Sequence, residues 1–369
     1  MSGLLVLSDA AVRETLISQS KDETVSFLND IRHCLQEYST GKERQYQPES
    51  GVVLRPTGQK TLFRPFTAPD NVGTKIIVDP AADKDGKKPP LHGVLVLCDS
   101  QCLQTGVINA AEVTGYRTSL SAMIPYMMRA RTANIVVFGA GKQALWHIRL
   151  ALVLRGSEIK TITIVNRSER RGEALLEEVR ANNEQRWKAE VNFSALSPSH
   201  QDYEHRLESL LHEADVVFCT VPSTEPLFPA RYILSRDNHA DQPLITAIGS
   251  WQPNMIEVPH QLVQHVVEDS ACQGVLLVDD RDGCSAHAGE VVQCGLKAEQ
   301  LVEIGAVLNK PEGGGPDDAR FSAQAFQDWL KNGLVVYKSV GVSVTDLIAG
   351  QRLLQLAKEK QLGVNIADF

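Results

Sequence analysis

A glycine-rich turn near the middle of the chain is the stretch best suited to chemistry. Residues 139–144 read GAGKQA, which is the spacing G-x-G-x-x-A. A backbone without side chains can approach a phosphate closely, and the first N–H groups of a following helix attract negative charge. The turn therefore predicts a site for the pyrophosphate of a dinucleotide. The alternative is a purely structural glycine turn, which can have the same sequence pattern.

The segments on either side of the turn bear on this choice. Residues 135–138 are a short run rich in β-branched residues, which is typical of a buried strand. Residues 144–154 have helical apolar spacing that stops at Gly156, and residues 161–165 predict a second buried strand. Strand, glycine turn, helix and second strand make one βαβ unit, and this context favours dinucleotide binding.

The end of the second strand predicts which dinucleotide is bound. A carboxylate at this corner would accept hydrogen bonds from the ribose hydroxyls of NAD, but the sequence continues Asn166-Arg167-Ser168, with Arg171 close behind. The Arg167 guanidinium is a planar donor suited to a 2′-phosphate, and Ser168 offers a hydroxyl at a helix start. The corner therefore predicts NADP(H); a solvated basic helix start is the alternative.

The composition argues against several classes of protein. A chain of 369 residues is long enough for two domains, and its 43% hydrophobic and 22% charged residues are those of an ordinary globular protein. The formal net charge of −8 argues against a nucleic-acid partner. No apolar run approaches the ~20 residues that span a bilayer, and the N-terminus has no cationic start. We therefore expect no membrane segment, no secretory signal and a cytoplasmic location.

Cysteine and histidine usage predicts reduced thiols and no metal. The seven cysteines are odd in number and form no C-x-x-C pair, which indicates free thiols in a reducing compartment. The ten histidines form no H-x-x-x-H pattern and no cluster with cysteine along the sequence. The sequence therefore predicts no metal site.

Periodicity separates two kinds of structure along the chain. Residues 4–109 predict a short strand at residues 4–7, two helices and then antiparallel strands. A helix over residues 114–131 then leads into alternating strands and helices, and a last helix is predicted over residues 343–360. The later strands are predicted at residues 215–219, 244–248, 266–267, 275–278 and 334–337. The pattern predicts an α/β fold, a Rossmann doubly wound parallel sheet plus a second α+β domain.

Six short segments occur in an order and at a spacing typical of one family. Besides the glycine turn they are residues 74–78, 117–122, 247–254, 288–290 and 337–346. Together they resemble the ornithine cyclodeaminase/mu-crystallin family. The resemblance implies a homodimer in which both chain ends build a substrate-binding and dimerisation domain around a Rossmann domain. On that basis we assign residues 1–121 and 333–369 to the first domain and residues 122–332 to the second.

The resemblance implies that Lys75 is catalytic and that Arg117 binds the substrate. Desolvation in a cleft lowers the pKa of a lysine, which can then give up and regain a proton near neutral pH. A guanidinium can clamp a carboxylate with two parallel hydrogen bonds. The alternatives are a solvated strand lysine and a buried structural ion pair.

The resemblance also implies a set of cofactor contacts. Thr118 would lie against the phosphates, and residues at the carboxyl ends of later strands would line the nicotinamide site. With the glycine turn and the corner after the second strand, the predicted cofactor-binding residues are Thr118, Gly139, Ala140, Gly141, Lys142, Gln143, Asn166, Arg167, Ser168, Arg171, Thr220, Val221, Ser250, Ser339 and Val340.

Three positions depart from the family pattern, and all three concern the substrate. Trp251 stands where deaminating members carry an aspartate, and it offers an apolar wall instead. The usual arginine of the N-terminal strand region is missing, so that Arg55, Arg64 or neither supplies the charge. His287 lies where some relatives have a substrate-facing glutamate, although a lone histidine is more often structural. The predicted substrate contacts are thus Arg117, Arg64, Trp251 and His287.

These expectations favour an enzyme that reduces a C=N bond with NADP(H). The substrate would be a small cyclic imine or ketimine that carries a carboxylate, and Lys75 would keep its nitrogen protonated. One alternative is an ornithine cyclodeaminase or amino-acid dehydrogenase that works in the oxidative direction. A further alternative is a non-catalytic, NADPH-dependent small-ligand-binding protein of the mu-crystallin kind.

Overall fold

The chain divides into two compact units. A computed structural model describes residues 3–84, 89, 91–236, 241–308, 322–367 and 369. The terminal unit comprises Met1–Arg117 and Val342–Phe369, and the central unit comprises Thr118–Gly341.

Helices and strands are numbered in chain order over the described residues. The helices are α1 Asp9–Ile17, α2 Lys21–Thr40, α3 Ala110–Met128, α4 Lys142–Arg155, α5 Glu169–Asn182, α6 Tyr203–Glu213, α7 Arg231–Leu234, α8 His260–Glu268, α9 Arg281–His287, α10 Gly289–Cys294, α11 Ile304–Val307, α12 Ala323–Asn332 and α13 Ser343–Glu359. The strands are β1 Leu4–Leu7, β2 Gly51–Leu54, β3 Lys60–Ala68, β4 Asn71–Asp79, β5 His92–Asp99, β6 Gln104–Asn109, β7 Asn134–Phe138, β8 Thr161–Val165, β9 Asn192–Leu196, β10 Val216–Cys219, β11 Leu244–Ala247, β12 Leu276–Val278, β13 Leu301–Glu303, β14 Val335–Lys338 and β15 Val364–Ile366.

The terminal unit is a mixed sheet built from both ends of the chain. Its strand order is β15-β1-β6-β5-β4-β3-β2, and β1 pairs with β15 near the C-terminus. A capping box begins α2, because Ser20 Oγ accepts the Glu23 N–H (3.1 Å) while Glu23 Oε2 accepts the Ser20 N–H (2.7 Å). Helix α13 packs on α2 and on β3, β4 and β5. The last helix of the chain therefore covers the strands that carry Arg64 and Lys75.

The central unit contains a parallel sheet of the Rossmann type. Its strand order is β13-β12-β14-β11-β10-β7-β8-β9, and every neighbouring pair is parallel. The strand order reverses between β7 and β10. From β7, the strands β8 and β9 follow on one side, whereas β10 and β11 follow on the other. Ligands of such sheets bind at the carboxyl ends of the strands beside this reversal.

The predicted domain boundaries differ from this division. Strand β14 pairs with β11 and β12, so residues 333–341 belong to the central unit and not to the terminal one. The first boundary lies inside α3, between Arg117 and Thr118, and not after residue 121. Substrate binding and dimerisation by the terminal unit stay predictions.

One predicted strand is wrong and three strands were not predicted. Val266 and Val267 lie inside α8, where they share a buried helix face with Leu262 and Val263. A pair of valines is compatible with a strand or with a helix. Here the spacing from Leu262 and Val263 to Val266 and Val267 is one helical turn, which is the pattern of a helix. Strands β9, β13 and β15 have only three to five residues, too short for a clear pattern. Among the described residues, no helix combines the length and apolar character needed to cross a membrane.

Candidate functional site

Most of the predicted cofactor-binding residues gather at one edge of the central sheet. The strands β8, β7, β10, β11 and β14 are neighbours and parallel, so their carboxyl ends share that edge. Thr118 lies on α3 and Arg171 in the first turn of α5. The others follow the ends of these five strands: Gly139, Ala140, Gly141, Lys142 and Gln143 after β7, Asn166, Arg167 and Ser168 after β8, Thr220 and Val221 after β10, Ser250 after β11, and Ser339 and Val340 after β14.

The glycine turn has room for a phosphate. Gly139 has φ +110°, a conformation that favours glycine, and a Cβ there would lie 2.6 Å from Thr220 Oγ1. A Cβ on Gly141, by contrast, would meet no atom of the described residues within 4 Å. Gly141 immediately precedes α4, whose first N–H groups have no earlier turn to bond to. Open space at a helix N-terminus fits a bound pyrophosphate.

The corner after β8 carries an exposed arginine. Asn166 Nδ2 donates to the Ser168 carbonyl (2.7 Å), which fixes the turn, and Arg167 lies exposed between them. The nearest carboxylate along the chain, Glu169, accepts a hydrogen bond from Ser199 Oγ (2.9 Å). The corner therefore presents a guanidinium to solvent, as a 2′-phosphate site requires.

Two buried acids beneath the loops of this edge were missed in the sequence. Glu257 accepts the Val221 N–H, and Asp279 accepts the Gly341 N–H, both at 2.7 Å. Burial raises the pKa of Glu257 to about 7, with Lys338 opposing the rise and Glu290 adding to it. A signal existed for Asp279, because it directly follows the buried strand β12 at the sheet edge where ligands bind.

A buried ionic cluster in the terminal unit contains Lys75. Its Nζ lies 2.6 Å from Asp346 Oδ2 and 3.5 Å from Thr114 Oγ1. Arg117 donates its Nε–H to the other carboxylate oxygen, Asp346 Oδ1, at 2.9 Å. Lys75 and Asp346 are both fully buried, and Arg117 is 3% exposed. One carboxylate thus holds two cations away from water.

Arg64 is the cross-strand neighbour of Lys75. The antiparallel register of β3 and β4 places the two residues opposite each other, which is a close side-chain pairing in a sheet. Arg64 is half-buried, and its Nε donates to Ser343 Oγ (3.3 Å) at the start of α13. Arg55 lies instead in the exposed turn between β2 and β3, where its N–H bonds to the Gln59 carbonyl (2.9 Å). Of the two candidates, only Arg64 is brought to Lys75.

Charge and burial shift the two titrating groups of this cluster. Burial lowers the pKa of Lys75 to about 7; the Asp346 carboxylate opposes the fall, and Arg117 and Arg64 add to it. Burial alone would raise the pKa of Asp346, but Arg117, Lys75 and Arg64 outweigh it and hold that pKa at about 2. Near neutral pH the carboxylate is therefore ionised while the lysine can exchange its proton.

Two of the predicted substrate contacts, Trp251 and His287, are not in this cluster. Trp251 is half-buried in the loop after β11, and His287 is exposed at the end of α9; both belong to the central unit. Arg117 forms the buried ion pair that the sequence left open as its alternative role. The substrate roles of all three residues stay predictions.

Within the part of the chain that the structure describes, the fold brings together one group of possible metal ligands that the sequence pattern did not reveal. One ligand atom each of His265, Asp269 and Cys272 lies within 4.8 Å of the others. His265 Nε2 is 3.4 Å from Asp269 Oδ2, one helical turn away, and Asp269 Oδ1 accepts the Ala271 N–H (2.9 Å). Burial raises the pKa of Cys272 to about 12. These contacts are those of a helix end.

Comparison with known proteins was made by sequence and by structure. Residues 125–253 match the family model described as shikimate/quinate 5-dehydrogenase. An uncharacterized cyclodeaminase of Dictyostelium discoideum is 27% identical over 312 residues, which cover 82% of this chain and 81% of that protein. A Delta(1)-pyrroline-2-carboxylate reductase of Bacillus cereus is 23% identical over 366 residues, covering 95% and 99%.

A solved structure shares the fold of this chain over nearly its full length. It is the Thermococcus litoralis Delta(1)-pyrroline-2-carboxylate reductase in complex with NADH and L-proline, which matches with a TM-score of 0.75 at 16% identity. The match covers 98% of this chain and 100% of that one. At this identity the structural match concerns the fold alone. Together these matches support the resemblance to the ornithine cyclodeaminase/mu-crystallin family that the sequence segments indicate.

Proposed function

We propose that this protein reduces the C=N bond of a carboxylate-bearing cyclic imine and uses NADP(H). The observation that carries the proposal is the buried Lys75, which is paired with Asp346, opposite Arg64 and poised to exchange a proton near pH 7. An imine reductase needs one proton donor of that kind beside a carboxylate-binding group. The names of the Bacillus and Thermococcus relatives point to the same substrate class.

Lys75 supplies the proton in this proposal. An iminium accepts hydride far more readily than a neutral imine, so the Nζ must keep the substrate nitrogen protonated. A lysine with a pKa near 7 holds a proton at neutral pH and releases it without a large penalty. Asp346 fixes the position of Nζ through the 2.6 Å contact.

Arg64 binds the substrate carboxylate, and Arg117 holds Asp346 in place. Arg64 is the more accessible of the two guanidiniums and lies on the strand beside Lys75. With Lys75 protonated, three cations surround one carboxylate, so the cluster carries a net charge of about +2 that an anionic substrate would offset. This division of roles follows the burial of the two arginines.

NADP(H) supplies the hydride when bound, and the central unit holds it. The glycine turn would hold the pyrophosphate, Arg167 and Ser168 would bind the 2′-phosphate, and the loops after β10, β11 and β14 would hold the nicotinamide end. The open space at Gly141 and the exposed guanidinium of Arg167 support this assignment.

The first prediction is that NADPH binds more tightly than NADH because of Arg167. One charge-assisted hydrogen bond to the 2′-phosphate contributes about 1.5–3 kcal/mol, or roughly 10- to 150-fold in affinity. Arg167→Ala should therefore remove most of the preference. Isothermal titration of NADPH and of NADH into the unmutated protein and into Arg167→Ala measures this preference. The control is Arg206→Ala, because Arg206 is another exposed arginine of the central unit. Equal affinity of the unmutated protein for both cofactors would contradict the assignment of the corner.

The second prediction is that imine reduction slows as the pH rises through 7. Only the charged form of Lys75 can donate the proton. We therefore expect kcat/KM to be constant below the pKa of Lys75, about 7, and to fall about tenfold per pH unit above it. The Lys75→Met variant should keep only a residual rate without this inflection. A rate that rises with pH through the same range would mean that a base, and not an acid, limits the reaction.

The two alternative functions make different demands on the site. A cyclodeaminase must take protons from an amine and activate a nucleophile, whereas Trp251 replaces the acid of deaminating members and its indole N–H can only donate. A non-catalytic binding protein has no need of a lysine with a lowered pKa. Both observations favour the reductase.

A further inference from the structure

Two carboxylates lie buried under the edge of the central sheet, and neither has a part in the reaction as described above. Glu257 is fully buried and Asp279 is 1% exposed. A buried charge is costly and does not by itself stabilise a fold, so its hydrogen-bond partners indicate its use. Here those partners are mainly backbone N–H groups of the loops after β10, β11 and β14.

Glu257 joins the first two of these loops. Its Oε1 accepts the Val221 N–H of the β10 loop (2.7 Å), and its Oε2 accepts the N–H groups of Gly249 (2.6 Å) and Ser250 (3.1 Å) of the β11 loop. The two loops also touch directly, because a Cβ on Gly249 would lie 2.3 Å from the Val221 carbonyl oxygen. One side chain thus sets the separation of Val221 and Ser250.

Asp279 holds the third loop in the same way. Its Oδ2 accepts the Ser339 hydroxyl (2.6 Å) and the Gly341 N–H (2.7 Å), and its Oδ1 accepts the Val340 N–H (3.2 Å). Asp279 follows β12 directly, whereas the loop that it binds follows the neighbouring strand β14. The backbone on both sides of Val340 is therefore tied to a second strand.

An ion pair below Ser250 completes the arrangement. Lys338 Nζ donates to Ser250 Oγ (2.6 Å) and lies 3.2 Å from Glu290 Oε2, while the Ser250 hydroxyl donates to Glu290 Oε1 (2.5 Å). Glu290 also accepts the Glu257 N–H (2.9 Å). The Ser250 side chain is thus held from below while its backbone is held by Glu257.

We propose that Glu257 and Asp279 are positioning residues that fix the three nicotinamide-binding loops before the cofactor arrives. The inference rests on the proposed function, since that function assigns Val221, Ser250 and Val340 to the nicotinamide end of NADP(H). Groups held in place in advance do not have to be ordered during binding, which improves both affinity and alignment.

The amides Glu257→Gln and Asp279→Asn test the proposal. Both oxygens of each carboxylate accept at least one backbone N–H, so an amide must turn its NH₂ toward a backbone donor whichever way it is oriented. Each variant should loosen its own loop while the volume of the side chain stays the same. Asp215→Asn is the matched control, because this buried acid accepts the Asn134 N–H (2.9 Å) at the opposite edge of the same sheet.

Two readouts separate positioning from a general structural role. Hydrogen exchange of the cofactor-free proteins, followed by mass spectrometry, should be faster at residues 221 and 249–250 in Glu257→Gln and at residues 340–341 in Asp279→Asn. At pH 8, where Glu257 is ionised, the affinity for NADPH should fall on the order of 10- to 100-fold. The affinity for adenosine 2′,5′-bisphosphate, which lacks the nicotinamide half, should stay within about twofold.

Provided that the unmutated protein binds NADPH, three results would overturn the inference. They are unchanged NADPH affinity in both amide variants, an equal loss of affinity for NADPH and for the bisphosphate, and an equal effect of Asp215→Asn. If an amide variant does not fold, hydrogen exchange in the unmutated cofactor-free protein tests the inference instead. Rapid exchange of the amides of residues 221, 249 and 341 would show that the loops are not fixed before the cofactor binds. Absence of NADPH binding by the unmutated protein would instead refute the proposed function, and the inference with it.

Discussion

Replacing Lys75 with methionine is expected to lower imine turnover by about 100-fold or more. Methionine keeps much of the volume of the lysine but has no proton to give, and loss of a general acid usually costs this much. The affinity for NADPH should stay within about twofold, because the glycine turn and the corner after β8 are unchanged. Asp346 keeps its 2.9 Å contact with Arg117, so the variant should remain folded. Steady-state kinetics and cofactor titration of the same preparation measure both effects.

Lys60→Met is the control for this experiment. Lys60 lies opposite Asp79 at one end of the β3–β4 pair, whereas Arg64 and Lys75 lie at its middle. The control therefore removes a lysine from the same sheet and leaves the Asp346 cluster unchanged. The control should keep near-normal turnover. If Lys75→Met also keeps near-normal turnover, Lys75 has no part in the reaction and another donor must be sought.

Replacing Asp346 with asparagine is expected to have the largest effect on stability. Asp346 is the shared partner of two buried cations, the Lys75 ammonium at 2.6 Å and the Arg117 guanidinium at 2.9 Å. Removing one partner of a buried pair leaves uncompensated charge and lowers the free energy of unfolding by about 3–5 kcal/mol. Urea unfolding of Asp346→Asn beside the unmutated protein measures the difference.

Asp30→Asn provides the comparison, because the ion pair of Asp30 also involves a residue of helix α13. Asp30 on α2 lies 3.7 Å from Arg352 on α13, and the Asp30 side chain is 42% exposed. Exposed ion pairs contribute about 0–1 kcal/mol, so this change should be nearly neutral. A loss of stability in Asp346→Asn no larger than in Asp30→Asn would contradict the account of the cluster.

The pH dependence of stability gives a second test of Asp346. A carboxyl whose pKa is lower in the folded state stabilises the fold above its unfolded pKa, and that contribution is lost as the pH falls through the folded pKa. Here the ordinary value is 3.8 and the folded value is about 2. Between these values the unmutated protein should lose stability faster than Asp346→Asn as the solution is acidified.

The βαβ unit of the central sheet could be predicted because its signals are local. Residues 134–165 contain a buried strand, a glycine turn, a helix and a second strand without interruption, and the structure has all four. The parallel sheet follows from that alternation. By contrast, the two valines of α8 gave no local signal strong enough to distinguish helix from strand. They are helical in the structure because the whole buried face of α8 packs into the core.

The chemistry of the clusters could be predicted only in part, because their contacts join distant residues. Lys75 and Arg117 were singled out, but their shared partner Asp346 lies on the last helix, and only the antiparallel register brings Arg64 to Lys75. The position of Asp279 after β12 was a signal, but the backbone N–H groups that Glu257 and Asp279 bind cannot be identified from the residue types. Such contacts appear only when strands that are distant in sequence lie side by side.

The most direct test of the central claim compares reduction with deamination in one protein. The unmutated protein is given Δ1-pyrroline-2-carboxylate with NADPH, and separately ornithine with NAD⁺ or NADP⁺, while cofactor absorbance and ammonia are recorded. Our account predicts NADPH consumption that depends on the imine, with proline as the product, and no ammonia from ornithine. Ammonia release and proline formation from ornithine, without imine-dependent NADPH consumption, would contradict it and identify a cyclodeaminase.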